Sequence, residues 1–288
     1  MTFIDTLTRA GLCGLFIILA PCGGSSPGHA APSARVVYDN APFNNQPTTK
    51  ISGELKTPDG AGPFPAVVVL QACGGLGDHV TVDWPKFLNE IGFAALVIDI
   101  LGSRKVANAC TGNPIPLDER MRDIYGALAF LAENPAIDAS RLYAIGFSWG
   151  GTHVLESLLE RRPGQFASGE KHAVLKGGIA VYPGCEGIYG AITQRNVKPN
   201  FYAPLLIVAA ELDDWTPVSQ CQTVIAGQQQ PGRASIVIMP DAQHGFDQLT
   251  ANGTALATRK AFGHTLSPSR AATDKTRMLT KDFLTHLE

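Results

Sequence analysis

Gly146-Phe147-Ser148-Trp149-Gly150-Gly151 sets a serine between glycines in the pattern Gly-x-Ser-x-Gly. A serine hydroxyl is a weak nucleophile at neutral pH, so it does chemistry only when a base takes its proton and a third group orients that base. The context suits such a nucleophile. The apolar run Leu142-Tyr143-Ala144-Ile145 leads straight in, and the helical stretch Thr152 to Leu159 leads straight out. A sharp strand-to-helix turn of this kind lifts the serine hydroxyl above the sheet edge, and flanking glycines let the backbones meet there. Partners of such a serine stand on loops after later strands, the acid before the histidine. Leu205 to Ala210 reads as one of these strands and is followed by Glu211-Leu212-Asp213-Asp214-Trp215-Thr216-Pro217. Ser235 to Met239 reads as the next, followed by Pro240-Asp241-Ala242-Gln243-His244-Gly245-Phe246. His244 is therefore the candidate base, and the acid is Asp213 or Asp214. His264 follows no expected strand and His286 lies on the terminal helix, so both are set aside. The chemistry implied is acyl transfer through Ser148.

The elements that must position these residues alternate between strand and helix. Short apolar runs at Pro65 to Leu70, Phe93 to Ile98, Arg141 to Phe147, Val174 to Val181, Leu205 to Ala210 and Ser235 to Met239 fit strands buried on both faces. Between them, Asp118 to Ala132 places Met121, Ile124, Tyr125, Leu128 and Leu131 at helical spacing. The last helix is expected from roughly Ser269 to His286. Such alternation implies an α/β fold with a mostly parallel central sheet and helices on both faces, in one domain over residues 31–288. Residues up to about 63, rich in Pro, Gly and Asn, are expected to form an irregular N-terminal extension carrying a short strand at Ile51 to Leu55. Of the 288 residues 45% are hydrophobic and 17% charged, with a formal net charge of −2. Such a chain buries a core and is not disordered, and it lacks the basic excess that binds a nucleic-acid backbone or an anionic membrane. With no Cys-x-x-Cys and no histidines at ligand spacing, no metal and no cofactor are expected.

Residues 1–30 carry one basic residue, Arg9, an apolar stretch from Gly11 to Ala20, and small residues ending Gly28-His29-Ala30. This is the layout of a secretory signal peptide cleaved after Ala30, directing export to the periplasm or the medium. The stretch falls short of the roughly 20 residues that span a bilayer, so no transmembrane anchor is expected. Leu19-Ala20-Pro21-Cys22 offers a rival lipid anchor at Cys22, against which Pro21 stands where a small residue is wanted. Cleavage leaves Cys73, Cys110, Cys185 and Cys221, and an even set in an exported chain points to disulfides whose pairing the residues leave open.

Taken together, Gly-Phe-Ser-Trp-Gly-Gly, Glu-Leu-Asp-Asp-Trp-Thr-Pro, Ala-Gln-His-Gly-Phe and the Cys73-Gly74-Gly75 turn resemble the dienelactone hydrolase family of the α/β-hydrolase superfamily, from about Ser52 to the terminal helix. The resemblance implies that the acid is Asp213, four residues before Pro217, and that the backbone N–H groups of Trp149 and Cys73 form the oxyanion hole. With chain order, it also implies the pairings Cys73–Cys110 and Cys185–Cys221. The name-giving enzymes of that family use a cysteine nucleophile, a nearby glutamate and two arginines that hold a substrate carboxylate. Here those places carry Ser148, Ala72 and, for one arginine, Gln248. Arg104 is the candidate for the other arginine, with a structural salt bridge as its alternative reading. A small acidic lactone is thus disfavoured, and a small-molecule carboxylic ester is the expected substrate. Trp149 and Trp215 flank the proposed catalytic residues and are candidates to line the pocket, or else core. The rival functions are a prolyl-oligopeptidase-like peptidase and a non-catalytic binding protein on the same fold.

Overall fold

The computed structural model describes residues 33–166, 173–250 and 254–287; the expected leader, its cleavage site and Cys22 lie outside them. Among the described residues ten strands run β1 Ser33–Asp39, β2 Lys50–Lys56, β3 Phe64–Leu70, β4 Ala94–Asp99, β5 Ile137–Phe147, β6 Gly177–Val181, β7 Leu205–Ala210, β8 Ala234–Met239, β9 Arg259–Ala261 and β10 His264–Leu266. The helices are α1 Trp84–Glu90, α2 Leu117–Glu133, α3 Trp149–Ser157, α4 Arg161–Phe166, α5 Glu186–Arg195, α6 Val218–Gly227 and α7 Arg270–His286. Eight strands form one sheet in the order β1-β2-β4-β3-β5-β6-β7-β8. From β4 to β8 all neighbours are parallel, whereas β1 and β2 pair antiparallel with each other and β2 antiparallel with β4.

Alternation along β3 explains why the sheet needs helices on both faces. Ala66, Val68 and Leu70 pack into one core with α2 and α3, while Val67 and Val69 pack into the other with α1 and α7. All five are fully buried. Strand β3 sits in the middle of the sheet, with β4 on one side and β5 on the other. Chain direction across the sheet therefore reverses at β3, and the loops leaving β3 and β5 part company at their carboxyl ends. A crevice opens at such a switch point. Among the described residues no helix is long and apolar enough to cross a membrane.

The stretch before residue 63 departs from expectation. It is irregular only in part: the strand expected at Ile51 to Leu55 is present as β2, and β1, which was not expected, forms with it a seven-residue antiparallel ladder from Ser33↔Lys56 to Asp39↔Lys50 at the sheet edge. An edge strand covered on little of its surface needs no long apolar run, and of β1 only Tyr38 is buried, so its short stretch Val36-Val37-Tyr38 does not read as a strand buried on both faces.

Candidate active site

The turn between β5 and α3 is as tight as its glycines require. A Cβ at Gly146 would lie 2.2 Å from the Gly150 carbonyl oxygen, and one at Gly150 would lie 2.5 Å from that of Leu70. Between them Ser148 adopts φ 53° and ψ −115°, a strained conformation for a residue with a side chain. Its N–H donates to Val181 O at 2.9 Å, which ties the turn to the next strand. Beneath it, Trp149 packs edge-on against His153 with centroids 4.1 Å apart, and the Arg120 guanidinium lies 5.4 Å from the indole centre. Burial, then the charge of Arg120, pushes the His153 pKa well below its ordinary value, so this imidazole is neutral and accepts from Arg120 at Nε2, 2.6 Å away.

Two loops bring Ser148 its partners. His244, after β8, places Nε2 at 2.8 Å from Ser148 Oγ and Nδ1 at 2.7 Å from Asp213 Oδ2, after β7. Burial by itself would raise the Asp213 pKa. The hydrogen bond and charge of His244, with the amides of Thr216 and Trp215 donating at 2.8 and 2.9 Å, outweigh it and hold the carboxyl below its ordinary value. Thr216 Oγ1 adds a donor to Oδ2 at 2.8 Å. Asp213 thus stays ionised, and an ionised acceptor at Nδ1 fixes the tautomer that leaves Nε2 free to accept from the serine. All three side chains are buried. Of the two aspartates left open by residue type, Asp213 is the one joined to His244. Asp214 turns outward and accepts from the Thr265 N–H at 3.0 Å.

The Cys73 and Trp149 amides border the same space, and no described residue accepts a hydrogen bond from either. Two disulfides, Cys73–Cys110 and Cys185–Cys221, brace it. The first ties the loop after β3 to the loop after β4, where the Ala109 N–H also donates to Cys73 O at 2.8 Å. Two cavities meet at Ser148, of about 310 Å³ and about 480 Å³, and Trp215 lines both. Among the described residues no cluster of His, Cys, Asp or Glu could hold a metal ion.

Arg104 is not where a substrate clamp would need it. Its guanidinium forks onto the buried Asp123 carboxylate at 2.7 and 2.8 Å, with Ile100 O at 3.2 Å and Glu119 at 3.4 Å, and it lines neither cavity. The salt-bridge reading is the one the geometry supports, since a guanidinium committed to a buried carboxylate has no fork left for a substrate. A different arginine reaches the smaller cavity. Arg259 lines it and donates to Gln248 Oε1 at 2.5 Å.

Arg259 belongs to a hairpin, β9–β10, that no sequence signal announced. Its turn residues Phe262 and Gly263 have φ 53° and 89°, and a phenylalanine at the first of these lacks the Asn or Gly that marks such turns. The hairpin docks on the loop that carries Asp213. Trp215 stacks on His264 with centroids 4.8 Å apart and planes 16° apart, and lies 5.1 Å from the His244 ring. His264, set aside on sequence, is thus a neighbour of the site although it bonds neither Ser148 nor Asp213.

A family model described as the dienelactone hydrolase family matches residues 51–286. The chain belongs to the dienelactone hydrolase family. Two curated relatives carry family-type names. A Methylorubrum extorquens protein provisionally named carboxymethylenebutenolidase is 26% identical over 222 residues, covering 68% of this chain and 72% of that protein. A Bradyrhizobium protein provisionally named 2-oxo-3-(5-oxofuran-2-ylidene)propanoate lactonase is 26% identical over 229 residues, covering 74% and 86%. The solved structure of a dienelactone hydrolase-like promiscuous phosphotriesterase from metagenomic libraries is similar in fold, with TM-score 0.63, 19% identity, and coverage of 88% of this chain and 98% of that one. Membership of the dienelactone hydrolase family, on an α/β-hydrolase fold, makes this chain a hydrolase.

Proposed function

We propose that the protein is an exported serine esterase that cleaves small carboxylic esters through Ser148, His244 and Asp213. The observation that carries this reading is the buried hydrogen-bonded chain from Ser148 Oγ through both ring nitrogens of His244 to Asp213 Oδ2. Ser148 Oγ attacks the ester carbonyl carbon while His244 Nε2 takes its proton. Negative charge collects on the carbonyl oxygen, where the amides of Trp149 and Cys73 receive it. The imidazolium, held by ionised Asp213, returns the proton to the departing alkoxide, which leaves as the alcohol. Water then repeats the sequence on the acyl-serine, releasing the acid and restoring Ser148. The two disulfides favour an oxidising compartment and so support export through the leader at residues 1–30.

A fluorophosphonate probe tests the activated serine. Mass spectrometry is expected to locate the adduct on Ser148, and His244→Ala to abolish it. Ser148→Ala is expected to lower ester turnover by about 10⁴-fold or more, with a short peptide amide assayed in parallel. Normal turnover by Ser148→Ala would remove this serine from the mechanism, and preference for the amide would make the protein a peptidase.

A further inference from the structure

We propose that Ser148 divides a two-part substrate site, an apolar chamber under the β9–β10 hairpin and a polar chamber beside α5 and α6, and that the substrate is an ester joining an apolar acid to a sugar or similar polyol. This inference rests on the esterase reading and names its substrate class.

The two chambers share Cys73, Cys110, Ser148 and Trp215 as a common ridge and differ in chemistry on either side of it. On one side stand Leu76, Leu249, Leu256, Phe262 and Leu266. Leu76, Leu256 and Phe262 remain 42%, 41% and 53% exposed, an apolar surface that a ligand would cover. Asp78, His79 and Arg259 also line this side, Arg259 hydrogen-bonded to Gln248, yet apolar atoms supply most of its exposed wall. On the other side the lining includes Asn113, Glu186 and Gln220, none of whose side chains has a hydrogen-bond or ion-pair partner among the described residues. Two amides and a carboxylate offer both donors and acceptors, the set that neighbouring hydroxyl groups satisfy. Trp149 and Trp215 line this chamber too, and indole surfaces suit the apolar C–H face of a sugar ring. Among the described residues lining it Glu186 is the only charged one, so a carboxylate or phosphate would meet repulsion there and a neutral polyol would not. An ester has two halves around its carbonyl carbon, and the attacked carbon must sit at the ridge. Because a polyol forms esters through its own hydroxyls, the polar chamber takes the alcohol and the apolar chamber the acyl group.

Three substrates separate the halves: a glucose ester of cinnamic acid, methyl cinnamate, and a glucose ester of acetic acid. The first is expected to exceed each of the others in kcat/KM by about tenfold or more. Glu186→Ala combined with Gln220→Ala is expected to lower the ratio of glucose cinnamate to methyl cinnamate to about one, and Phe262→Ala to lower the ratio of glucose cinnamate to glucose acetate. Ratios cancel any loss of folded protein. Equal rates on glucose and methyl cinnamate, or variants that move both ratios alike, would overturn the proposal. If the fluorophosphonate labels Ser148 but glucose cinnamate is not preferred, the substrate assignment fails and the esterase reading stands. If Ser148 is not labelled, both fail.

Discussion

Replacing Arg104 by alanine tests whether this arginine serves the fold or the substrate. Its guanidinium holds Asp123, whose side chain is wholly buried, through bonds of 2.7 and 2.8 Å. Burial raises the Asp123 pKa to about 6 despite Arg104, with Asn40 Nδ2 as the other donor at 3.1 Å. Without Arg104 the desolvated carboxylate has little left to stabilise it, and it remains protonated in the folded state at neutral pH. Removing one partner of a buried pair costs up to about 3–5 kcal/mol, and protonation limits the part that comes from the stranded carboxylate to about 1.4 kcal/mol at pH 7, one unit above 6. The sign of the pH dependence follows. Below about 6 Asp123 is protonated in both folded proteins, so wild type and variant change together with pH. Above about 6 wild-type Asp123 is ionised, whereas the variant must keep a proton that the unfolded chain gives up, and its deficit grows by about 1.4 kcal/mol per pH unit. Urea unfolding at pH 5, 6, 7 and 8, together with ester kinetics, reads both effects. A deficit that widens above pH 6 with KM changed less than about twofold is the expected result. A stability loss independent of pH, or a KM raised about tenfold with stability kept, would refute the salt-bridge argument and restore Arg104 to the substrate.

Asp213→Asn is expected to lower kcat by about 10⁴-fold, because an amide no longer fixes the His244 tautomer, and rates measured on a chromogenic ester check this. Since the Asp213 pKa is lowered, its stabilising contribution is present above the ordinary aspartate value and is lost only as pH falls through its depressed folded value. Thermal melts of this variant are therefore expected to converge on wild type at the acid end, and a gap that persisted there would count against the ion pair. Cys110→Ala opens the disulfide that closes a loop across 37 positions and should cost about 4 kcal/mol, read as a fall in the urea midpoint. It also frees the Cys73 turn, so kcat is expected to drop by about tenfold or more, toward the effect of losing one oxyanion donor. Unchanged kcat in the folded variant would show that the Cys73 amide is not used.

The parts of the site that proved legible are those that local backbone geometry forces on the sequence. Gly146 and Gly150 stand where any Cβ would strike a carbonyl oxygen, so the turn wrote itself into residue types. Strands β3 to β7 are buried on both faces at the centre of the sheet, and their continuous apolar runs show it. Between Asp213 and Asp214 residue type could not choose, because the choice lies in which carboxylate the chain turns inward toward a histidine 31 positions away. The edge strand β1 and the hairpin β9–β10 were silent for a different reason. Both are exposed over much of their surface and owe their positions to partners distant in sequence: Tyr38 Oη donating to Asp123 O at 3.0 Å, and the Thr265 N–H donating to Asp214. Arg104 shows the converse. A motif position suggested a substrate contact, but a carboxylate on α2 had already claimed the side chain, and nothing in the spacing of 19 residues reveals that Asp123 is buried. The fold's machinery for moving a proton is thus encoded locally, while the surfaces that choose a substrate are encoded by long-range docking. That division is why family membership fixes this chain as a hydrolase, whereas the claim on its substrate has to be built from the walls of two chambers.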